Sequence, residues 1–287
     1  FFSIISSQEL QVTINQLGST IEYGGDMAYV SSVDISHDGQ IIAMGSPMES
    51  SSSYAAGRVQ VFEYTDGNWE QLGEDIYGIY STVSGDKIAL NANGTILAVG
   101  AENFDGIEWD NGHVRIYEYV GNNWIEIGDI HGEAANDRSG SSVSLNDDGD
   151  IVAIGAMYNG DENGMDNAYG HVRIFQNIDG SWIQIGQDIN GENEGDQIGW
   201  GTALSLNASG DIVAIGARNN DGSGAEDSGH VRIFQNINDS WVEIGNIDGG
   251  IEASDHFGSS VSINASGDKL IVGSPNADVP NAAGVGR

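Results

Sequence analysis

The sequence predicts an all-β fold built from one repeated module. Three observations carry this prediction: a repeat of nearly constant length, apolar runs of strand length, and abundant turn residues. The motif GHVRIFQN occurs twice, and related segments begin at the same glycine, so that the recurring glycines are Gly57, Gly112, Gly170, Gly229 and Gly286. They follow one another at 55, 58, 59 and 57 residues. Each repeat is therefore expected to bury its apolar surface against its neighbours.

Each repeat contains four apolar runs. In the third repeat the runs are residues 141–146 (SSVSLN), 151–157 (IVAIGAM), 171–176 (HVRIFQ) and 182–189 (WIQIGQDI). All four have the length of a strand, and none has the period of a helix. The first run alternates apolar and serine residues, which predicts a half-buried strand. The second is apolar almost throughout, which predicts a strand covered on both faces.

Four short antiparallel strands in fewer than sixty residues are typical of a β-propeller blade. Leucine-rich and parallel β-helix repeats are shorter, and helical solenoids require helices. We therefore predict a β-propeller of four-stranded antiparallel blades over residues 12–287, with about five blades visible and the last one truncated. The blades are expected near residues 26–76, 77–130, 131–189, 190–247 and 248–287. Residues 12–21 resemble a fourth strand that would close the ring, after five blades or after more.

Four tryptophans follow the repeat. Each opens a predicted fourth strand, and their positions are Trp69, Trp124, Trp182 and Trp241. A ligand-binding aromatic residue need not recur in every blade, so we expect these side chains to pack between strands.

Composition agrees with one large all-β domain. The chain has 287 residues, 39% of them hydrophobic, with 42 glycines and 3 prolines. Without cysteine it has neither disulfides nor thiolate metal sites. No apolar stretch reaches the roughly 20 residues that a membrane helix needs, so membrane insertion is not expected.

The charge excludes polyanionic partners. Nine basic residues stand against 43 acidic ones, and the net charge of −34 repels nucleic acid and anionic lipid surfaces alike. Such a surface is favoured in marine-type salt, where self-repulsion is screened, and an ordinary adaptation for solubility explains it equally well.

The two ends of the sequence suggest a longer chain. Residues 1–11 begin with FFSII and continue with small and polar residues, as in the end of a signal peptide, which predicts export; the alternative is an edge strand. At the other end Gly286 and Arg287 match Gly57 and Arg58, so the last blade is expected to stop in its third strand.

The fifth repeat contains the segments FGSSVS (257–262), IVGSP (271–275) and GVGR (284–287). They resemble the FG-GAP repeat, the blade unit of integrin α-subunit propellers and of many secreted bacterial proteins. Partial copies lie at residues 43–47, 56–59, 139–143, 154–156, 200–204 and 215–217. The resemblance covers nearly the whole chain from about Val12. It implies a propeller of typically about seven blades, an extracellular location, and binding or adhesion in place of catalysis.

One feature departs from that family. Its calcium-binding members carry a DxDxDG loop between the first and second strands, and here the corresponding turns are residues 91–95, 146–150, 207–211 and 264–268. A Ca²⁺ ion needs about six to eight oxygen ligands, which these short turns do not supply. Asn or Asp at the start and Gly near the end predict simple hairpin turns.

The other connections are longer and acidic. Those between the second and third strands are residues 102–111, 158–169 and 218–228; those between a fourth strand and the next blade include residues 131–138 and 190–199. Because each strand reverses direction, both sets are expected on one side of the domain, which makes that side the candidate binding surface.

The candidate ligand-binding residues of this surface are Trp109, Asp105, Asp110, Asp161, Asp166, Asp221 and Asp227. Calcium is the only cofactor considered, at Asp161, Asp166, Asp221 and Asp227; the alternative is a solvated acidic rim without metal. Trp109 is the candidate for stacking on a glycan. Trp200 stands at the FG-GAP phenylalanine position in this alignment and is expected in the core.

The histidines and arginines of GHVRI recur in three repeats, at His113, His171, His230, Arg115, Arg173 and Arg232. A catalytic site needs distinct partners, so we expect these copies to be structural, pairing with acidic residues of adjacent blades. The sequence thus predicts a non-catalytic extracellular or cell-surface binding module for a protein or glycan partner. The alternative is a glycoside hydrolase or lyase using loop carboxylates, which would show one loop set unlike the others.

Overall fold

The computed structural model describes residues 16–21, 29–79, 81–106, 108–160, 168–221, 225–249 and 252–277. These residues form twenty strands in five antiparallel sheets. The part of the chain so described contains no helix capable of crossing a membrane. The predicted all-β, antiparallel character is therefore confirmed.

Each of the first four sheets contains the four or five strands of one repeat, in chain order. The first comprises β1 (Ser32–Ile35), β2 (Ile41–Ser46), β3 (Arg58–Thr65), β4 (Asn68–Gln71) and β5 (Ile76–Tyr77). The second comprises β6 (Lys87–Leu90), β7 (Ile96–Ala101), β8 (His113–Val120) and β9 (Asn123–His131). The third comprises β10 (Ser139–Leu145), β11 (Ile151–Ala156), β12 (His171–Ile178), β13 (Ser181–Gln184) and β14 (Ile189–Asn190).

The fourth sheet comprises β15 (Leu204–Leu206), β16 (Ile212–Ala217), β17 (His230–Asn236) and β18 (Trp241–Asp248). A final pair comprises β19 (Ser260–Ile263) and β20 (Leu270–Gly273). In the first and third sheets the fourth run is split, so that β5 and β14 pair with β3 and β12 beside β4 and β13. The four strands predicted for the third repeat are confirmed, and every residue of β11 is buried, as its apolar run predicted.

The hydrophobic core lies between consecutive sheets. Val59 and Val61 of the first sheet pack in one cluster with Leu97 and Val99 of the second. Three further clusters join the second sheet to the third, the third to the fourth, and the fourth to the final pair. Each sheet therefore stabilises the next, as expected when a repeat has no core of its own.

The recurring tryptophans fasten these sheets together. The indole Nε1 of Trp124 donates to the carbonyl of Leu72, 2.9 Å away, in the preceding repeat. Trp182 and Trp241 make the same bond to Ile127 and Ile185, at 3.2 and 2.9 Å. The packing role predicted for these side chains is confirmed. Trp241 is 3% exposed and the others are half-buried.

The first repeat has its own version of this contact. Trp69 Nε1 donates to the carbonyl of Leu17 at 3.0 Å. Leu17 therefore holds the place that Leu72 holds for Trp124, in agreement with the resemblance of this segment to a fourth strand. Residues 12–15 of that segment lie outside the described residues.

The first strands of all five sheets line one cavity of about 220 Å³, which contacts Asp34, Leu90, Ser144, Ser205 and Ile263. Side chains bridge neighbouring strands there: Ser144 accepts the N–H of Leu206 at 3.0 Å, and Ser205 accepts that of Ile263 at 3.1 Å. At the end of this cavity the turns between first and second strands are hydrogen-bonded in series through His37, Ala92, Asp147, Ala208 and Ala265.

Candidate functional site

The two sets of long loops lie side by side. The loop between the second and third strands is called the 2–3 loop here, and the connection from a fourth strand to the next sheet is called the 4–1 loop. In the second repeat the N–H of Asn136 donates to Trp109 at 2.8 Å, and the N–H of Ser139 donates to Asn111 at 3.0 Å. Equivalent bonds join Ser81 to Tyr54, Gly195 to Ala168, and Ser254 to Glu226. The expectation that both sets share one side is confirmed, and this side is called the loop face.

Left-handed backbone recurs at one position of the 4–1 loops. Val83, Arg138, Gln197 and His256 have φ of 49°, 53°, 48° and 52°. This conformation costs a non-glycine residue on the order of 1–3 kcal/mol. It lets each residue donate its N–H to the adjacent 2–3 loop; Arg138, for example, donates to Asp110 at 3.2 Å. Because the left-handed conformation recurs in four repeats, we attribute it to the structure of the loops and not to the binding of a ligand at one of them.

Buried aspartates organise two of the 4–1 loops. Asp137 accepts the N–H groups of Glu133 and Ala134 at 3.1 and 2.8 Å, and the amide of Asn159 in the next repeat donates to it at 3.2 Å. Burial raises the pKa of Asp137, and the hydrogen bond from Ala134 partly offsets that rise. Asp196 is the equivalent residue one repeat later. Part of the acidic composition of the loops is therefore internal to the fold.

The predicted ligand-binding aspartates occur as two separate pairs. Asp105 Oδ1 accepts the N–H of Asp110 at 2.8 Å, and Asp221 Oδ1 accepts that of Asp227 at 3.2 Å. Each pair closes its own 2–3 loop. The groups of three or more metal-ligating side chains found among the described residues include neither pair. The remaining candidates, Asp161 and Asp166, lie outside the described residues.

Trp109 projects from the loop face. Its side chain is 70% exposed, the highest value of any tryptophan in the described chain. The backbone beneath it is fixed, because its carbonyl accepts the bond from Asn136 and the next residue, Asp110, has a left-handed φ of 49°. An exposed indole on a fixed backbone is a preformed surface for stacking.

The placement of Trp200 in the core was wrong. Gly258, of the Phe257–Gly258 pair, has φ of 87° and packs against Gly216. In the preceding repeat the residue that packs in this way, against Gly155, is Gly199, so Ile198 and not Trp200 matches Phe257. Ile198 is 2% exposed.

Trp200 and Gly201 are therefore a two-residue insertion. Asn207 follows Ile198 by nine residues, whereas Asn264 follows Phe257 by seven. The half-buried indole of Trp200 lies under the guanidinium of Arg218, 3.4 Å from the ring centre. This cation–π contact stands on the loop face, because Arg218 directly follows β16 at the start of its 2–3 loop.

An unmatched charged cluster lies on the same face. Arg138 Nη1 is 3.9 Å from Glu102 Oε1, and its guanidinium lies 5.3 Å from the centre of the Tyr158 ring. Burial raises the pKa of Glu102, and Arg138 opposes that rise. At the aligned position after the second strand the five repeats have Pro47, Glu102, Met157, Arg218 and Pro275, so only the first and the fifth agree.

The sequence prediction did not include Glu102, Arg138 or Arg218. A signal was present, because both arginines stand outside the GHVRI motif in a chain with only nine basic residues. The loops are thus less uniform than their acidic composition suggested.

The GHVRI residues connect neighbouring sheets. The guanidinium groups of Arg115, Arg173 and Arg232 donate to the carbonyls of Tyr77, His131 and Asn190, at 3.0, 2.7 and 2.9 Å. Their carboxylate partners include Glu133, in the 4–1 loop, and Glu243, within the sheet of Arg232. Contact with the adjacent sheet therefore runs through backbone carbonyls as well as through acidic side chains. Burial lowers the pKa of His171 to about 4, so this imidazole is neutral at pH 7.

The turns at the opposite end are closed hairpins, as predicted. Asn146 Oδ1 accepts the N–H groups of Gly149 and Ile151 at 3.0 and 2.9 Å, and its amide donates to Asp150 at 2.8 Å. Asn207 and Asn264 make the same bond to Asp211 and Asp268, each at 2.8 Å. The side-chain oxygens of these turns are thus used within the turn.

Two groups of side chains in the described chain have ligand atoms close enough to share a metal ion. They are His113 with Asp129 and His131, and Glu133 with His171 and Asp188. Both lie at the loop face, where the third strand begins and the fourth ends.

Comparison with known proteins gives a structural match only. No family model matches the chain, and no curated protein matches it. The structure is similar to that of a functionally unknown protein from Desulfotomaculum acetoxidans DSM 771, with a TM-score of 0.56 and 11% sequence identity. The match covers 88% of this chain and 64% of that protein, so this chain spans less than two thirds of its length. At this identity the likeness concerns the fold alone.

Proposed function

We propose that the chain is part of a β-propeller of the FG-GAP type and serves as an extracellular or cell-surface binding module. The radial arrangement is supported by two features. Consecutive sheets pack face to face in series, and the first strands of all five border one cavity. A stack of sheets along a line would not bring five first strands to a common space.

The FG-GAP assignment is supported by the paired glycines. A side chain at Gly258 would meet the Cα of Gly216 at 3.2 Å, and one at Gly199 would meet the Cα of Gly155 at 3.0 Å. The glycine of the FG pair and the glycine near the end of the second strand therefore require each other in these two repeats, because neither has room for a larger residue.

Exposure of Trp109 is the observation that carries the binding function. This indole is accessible, preformed and placed on the loop face beside Asp105 and Asp110. The net charge of −34 disfavours polyanionic ligands, so we expect a neutral glycan or a basic protein surface.

Affinity gel electrophoresis through laminarin, xylan, dextran or chitosan tests the glycan arm. We expect retardation in at least one neutral or basic polysaccharide and its loss in Trp109→Ala. The control is Ile125→Ala, which removes a side chain that is 50% exposed on β9, away from the loops. Equal migration of the wild type and Trp109→Ala in every gel removes glycan stacking, and lysozyme or histone as a basic ligand then tests the protein arm.

The binding proposal does not depend on a cofactor; calcium held by Asp161, Asp166, Asp221 and Asp227 is one option, and a solvated acidic rim without metal is the alternative. Isothermal titration of the chelator-treated chain with CaCl₂ tests it. The absence of both heat and a thermal shift at millimolar calcium removes calcium from the proposal.

One observation favours an enzyme as the second candidate. Glu102 is a half-buried carboxyl with a raised pKa beside Arg138 and Tyr158, and the described residues of the other repeats contain no such cluster. A carboxyl whose pKa is raised by burial is suited to general acid catalysis in a glycoside hydrolase or lyase. Release of reducing ends from the same polysaccharides, lost in Glu102→Gln, would replace the binding proposal by this one.

A further inference from the structure

Three side chains converge where β8 and β9 pair. His113 begins β8 and lies directly opposite His131, the last residue of β9, and Asp129 stands two positions earlier on β9. Directly opposite residues of an antiparallel pair share a face of the sheet, and so do residues two apart on one strand. The two imidazoles and the carboxylate therefore project from the same face.

The distances between these groups suit a shared ion. Nδ1 of His113 is 2.7 Å from Asp129 Oδ1, and Nε2 of His131 is 3.4 Å from Asp129 Oδ2. Zinc binds imidazole nitrogen and carboxylate oxygen at about 2.0–2.2 Å, which places tetrahedral ligand atoms roughly 3.3 Å apart. The two observed separations bracket that value, so only small side-chain rotations would be needed.

The surroundings hold the two rings in place. The ring of Phe104 stacks on His113, with centroids 3.8 Å apart and planes inclined by 8°, and it also lies 5.4 Å from the His131 ring. His113 is 4% exposed, whereas the side chains of Asp129 and His131 are about one third exposed. A bound ion would thus contact the buried His113 on its inner side and be open to solvent on the side of Asp129 and His131.

Hydrogen bonding within the chain does not account fully for His131. Its Nδ1 is buried without a hydrogen-bond partner. Only Nε2, facing Asp129, has a polar contact among those described. Nε2, and not the buried Nδ1, is therefore the ring nitrogen of His131 that can reach a metal ion beside Asp129.

The other repeats provide an internal comparison. The residues opposite each other at this place are Arg58 with Tyr77, His171 with Asn190, and His230 with Asp248. In the described part of the chain, two imidazoles and a carboxylate meet only in the second repeat.

We propose that His113, Asp129 and His131 bind a divalent transition-metal ion, of which Zn²⁺ is the best match. Imidazole nitrogens with one carboxylate suit Zn²⁺ and Cu²⁺, whereas Ca²⁺ requires oxygen ligands. Three protein ligands leave a fourth position open to water or to a donor group of a bound partner. This site is independent of the binding function proposed above and of the calcium considered there.

Titration of the untagged, chelator-treated chain with ZnCl₂ in excess CaCl₂ tests the site. We expect one equivalent to bind and the affinity to fall at least tenfold in His131→Asn, which installs the residue that the third repeat carries as Asn190. This variant is expected to fold, because that repeat accommodates the same residue.

A gain of binding provides the matched control. Asn190→His should place a second imidazole beside His171 and Asp188 and raise the zinc stoichiometry from one to two. The double variant Asn190→His/His171→Ala should bind one zinc ion again, which would locate the second ion at His171. A wild-type chain that binds no Zn²⁺, or a His131→Asn variant that binds it as tightly as the wild type, overturns the proposal.

Discussion

The two ends of the sheets differ in how closely their repeats agree. At the turn end, Asn91, Asn146, Asn207 and Asn264 each accept backbone N–H groups within their own turn, and the turns bond to one another in series. At the loop face, the backbone bonds between loops recur, but the side chains on them differ from repeat to repeat. Repetition is therefore retained at the turn end, and side-chain variation collects at the loop face, where the bonds that recur between loops join backbone groups.

The carboxyl groups at the two ends differ in the same way. The hydroxyl of Ser209 and the amide of Asn207 donate to Asp211 in its turn, and these bonds lower its pKa. Burial on the loop face has the opposite effect and raises the pKa of Glu102 and of Asp137. The anionic form of Asp211 is thus stabilised in its turn, whereas burial makes the anionic forms of Glu102 and Asp137 less favourable.

Removing an inter-sheet tryptophan should have the largest effect. Trp241→Ala deletes an indole that is 3% exposed and donates to Ile185, so we expect a loss of about 3–5 kcal/mol in the free energy of unfolding. Denaturant titration measures it. Trp182→Ala, at a half-buried site, should cost less, and a loss below about 1 kcal/mol in Trp241→Ala would contradict the interlocking of the sheets.

Removing a turn asparagine should come next. Asn146→Ala leaves the buried N–H of Ile151 without its acceptor, whereas that of Gly149 keeps the backbone carbonyl of residue 146. We therefore expect a loss of about 1–3 kcal/mol in the free energy of unfolding. The control is Asn264→Ala, whose turn is more exposed and should lose less. Equal and negligible losses in both would mean that the turn end is not held by these side chains.

The sequence predicts the features that recur in every repeat better than those that occur in one repeat only. The strands, the tryptophan contacts and the closed turns were predictable, because each depends on a pattern repeated at fixed spacing. Trp200 was misplaced because a two-residue insertion shifts the alignment, and the packing of Gly199 on Gly155 shows where the insertion lies. The cluster of Glu102 with Arg138 has no repeated pattern, and its members are brought together by tertiary contacts from different repeats.

The loop carboxyls should give a smaller effect that depends on pH. The raised pKa of Glu102 means that its contribution to stability is present below its unfolded pKa and is lost as pH rises through the folded pKa. Glu102→Gln removes this loss, so the variant should gain stability relative to the wild type near pH 7, and the gain should vanish as the pH falls below about 4. Urea midpoints measured from pH 3 to pH 8 test this, and a gain that grows toward low pH would contradict the direction of the shift.

The smallest effect on stability should accompany the proposed loss of binding. Trp109 is 70% exposed, and the bond beneath it comes from its backbone carbonyl, which alanine retains. Trp109→Ala should therefore change the free energy of unfolding by no more than about 0.5 kcal/mol in either direction. Denaturant titration alongside the polysaccharide gels separates the two roles: unchanged stability with lost retardation assigns Trp109 to recognition. A loss of stability as large as that of Trp241→Ala would instead make Trp109 part of the framework, and the contrast between the two ends would no longer hold in the second repeat.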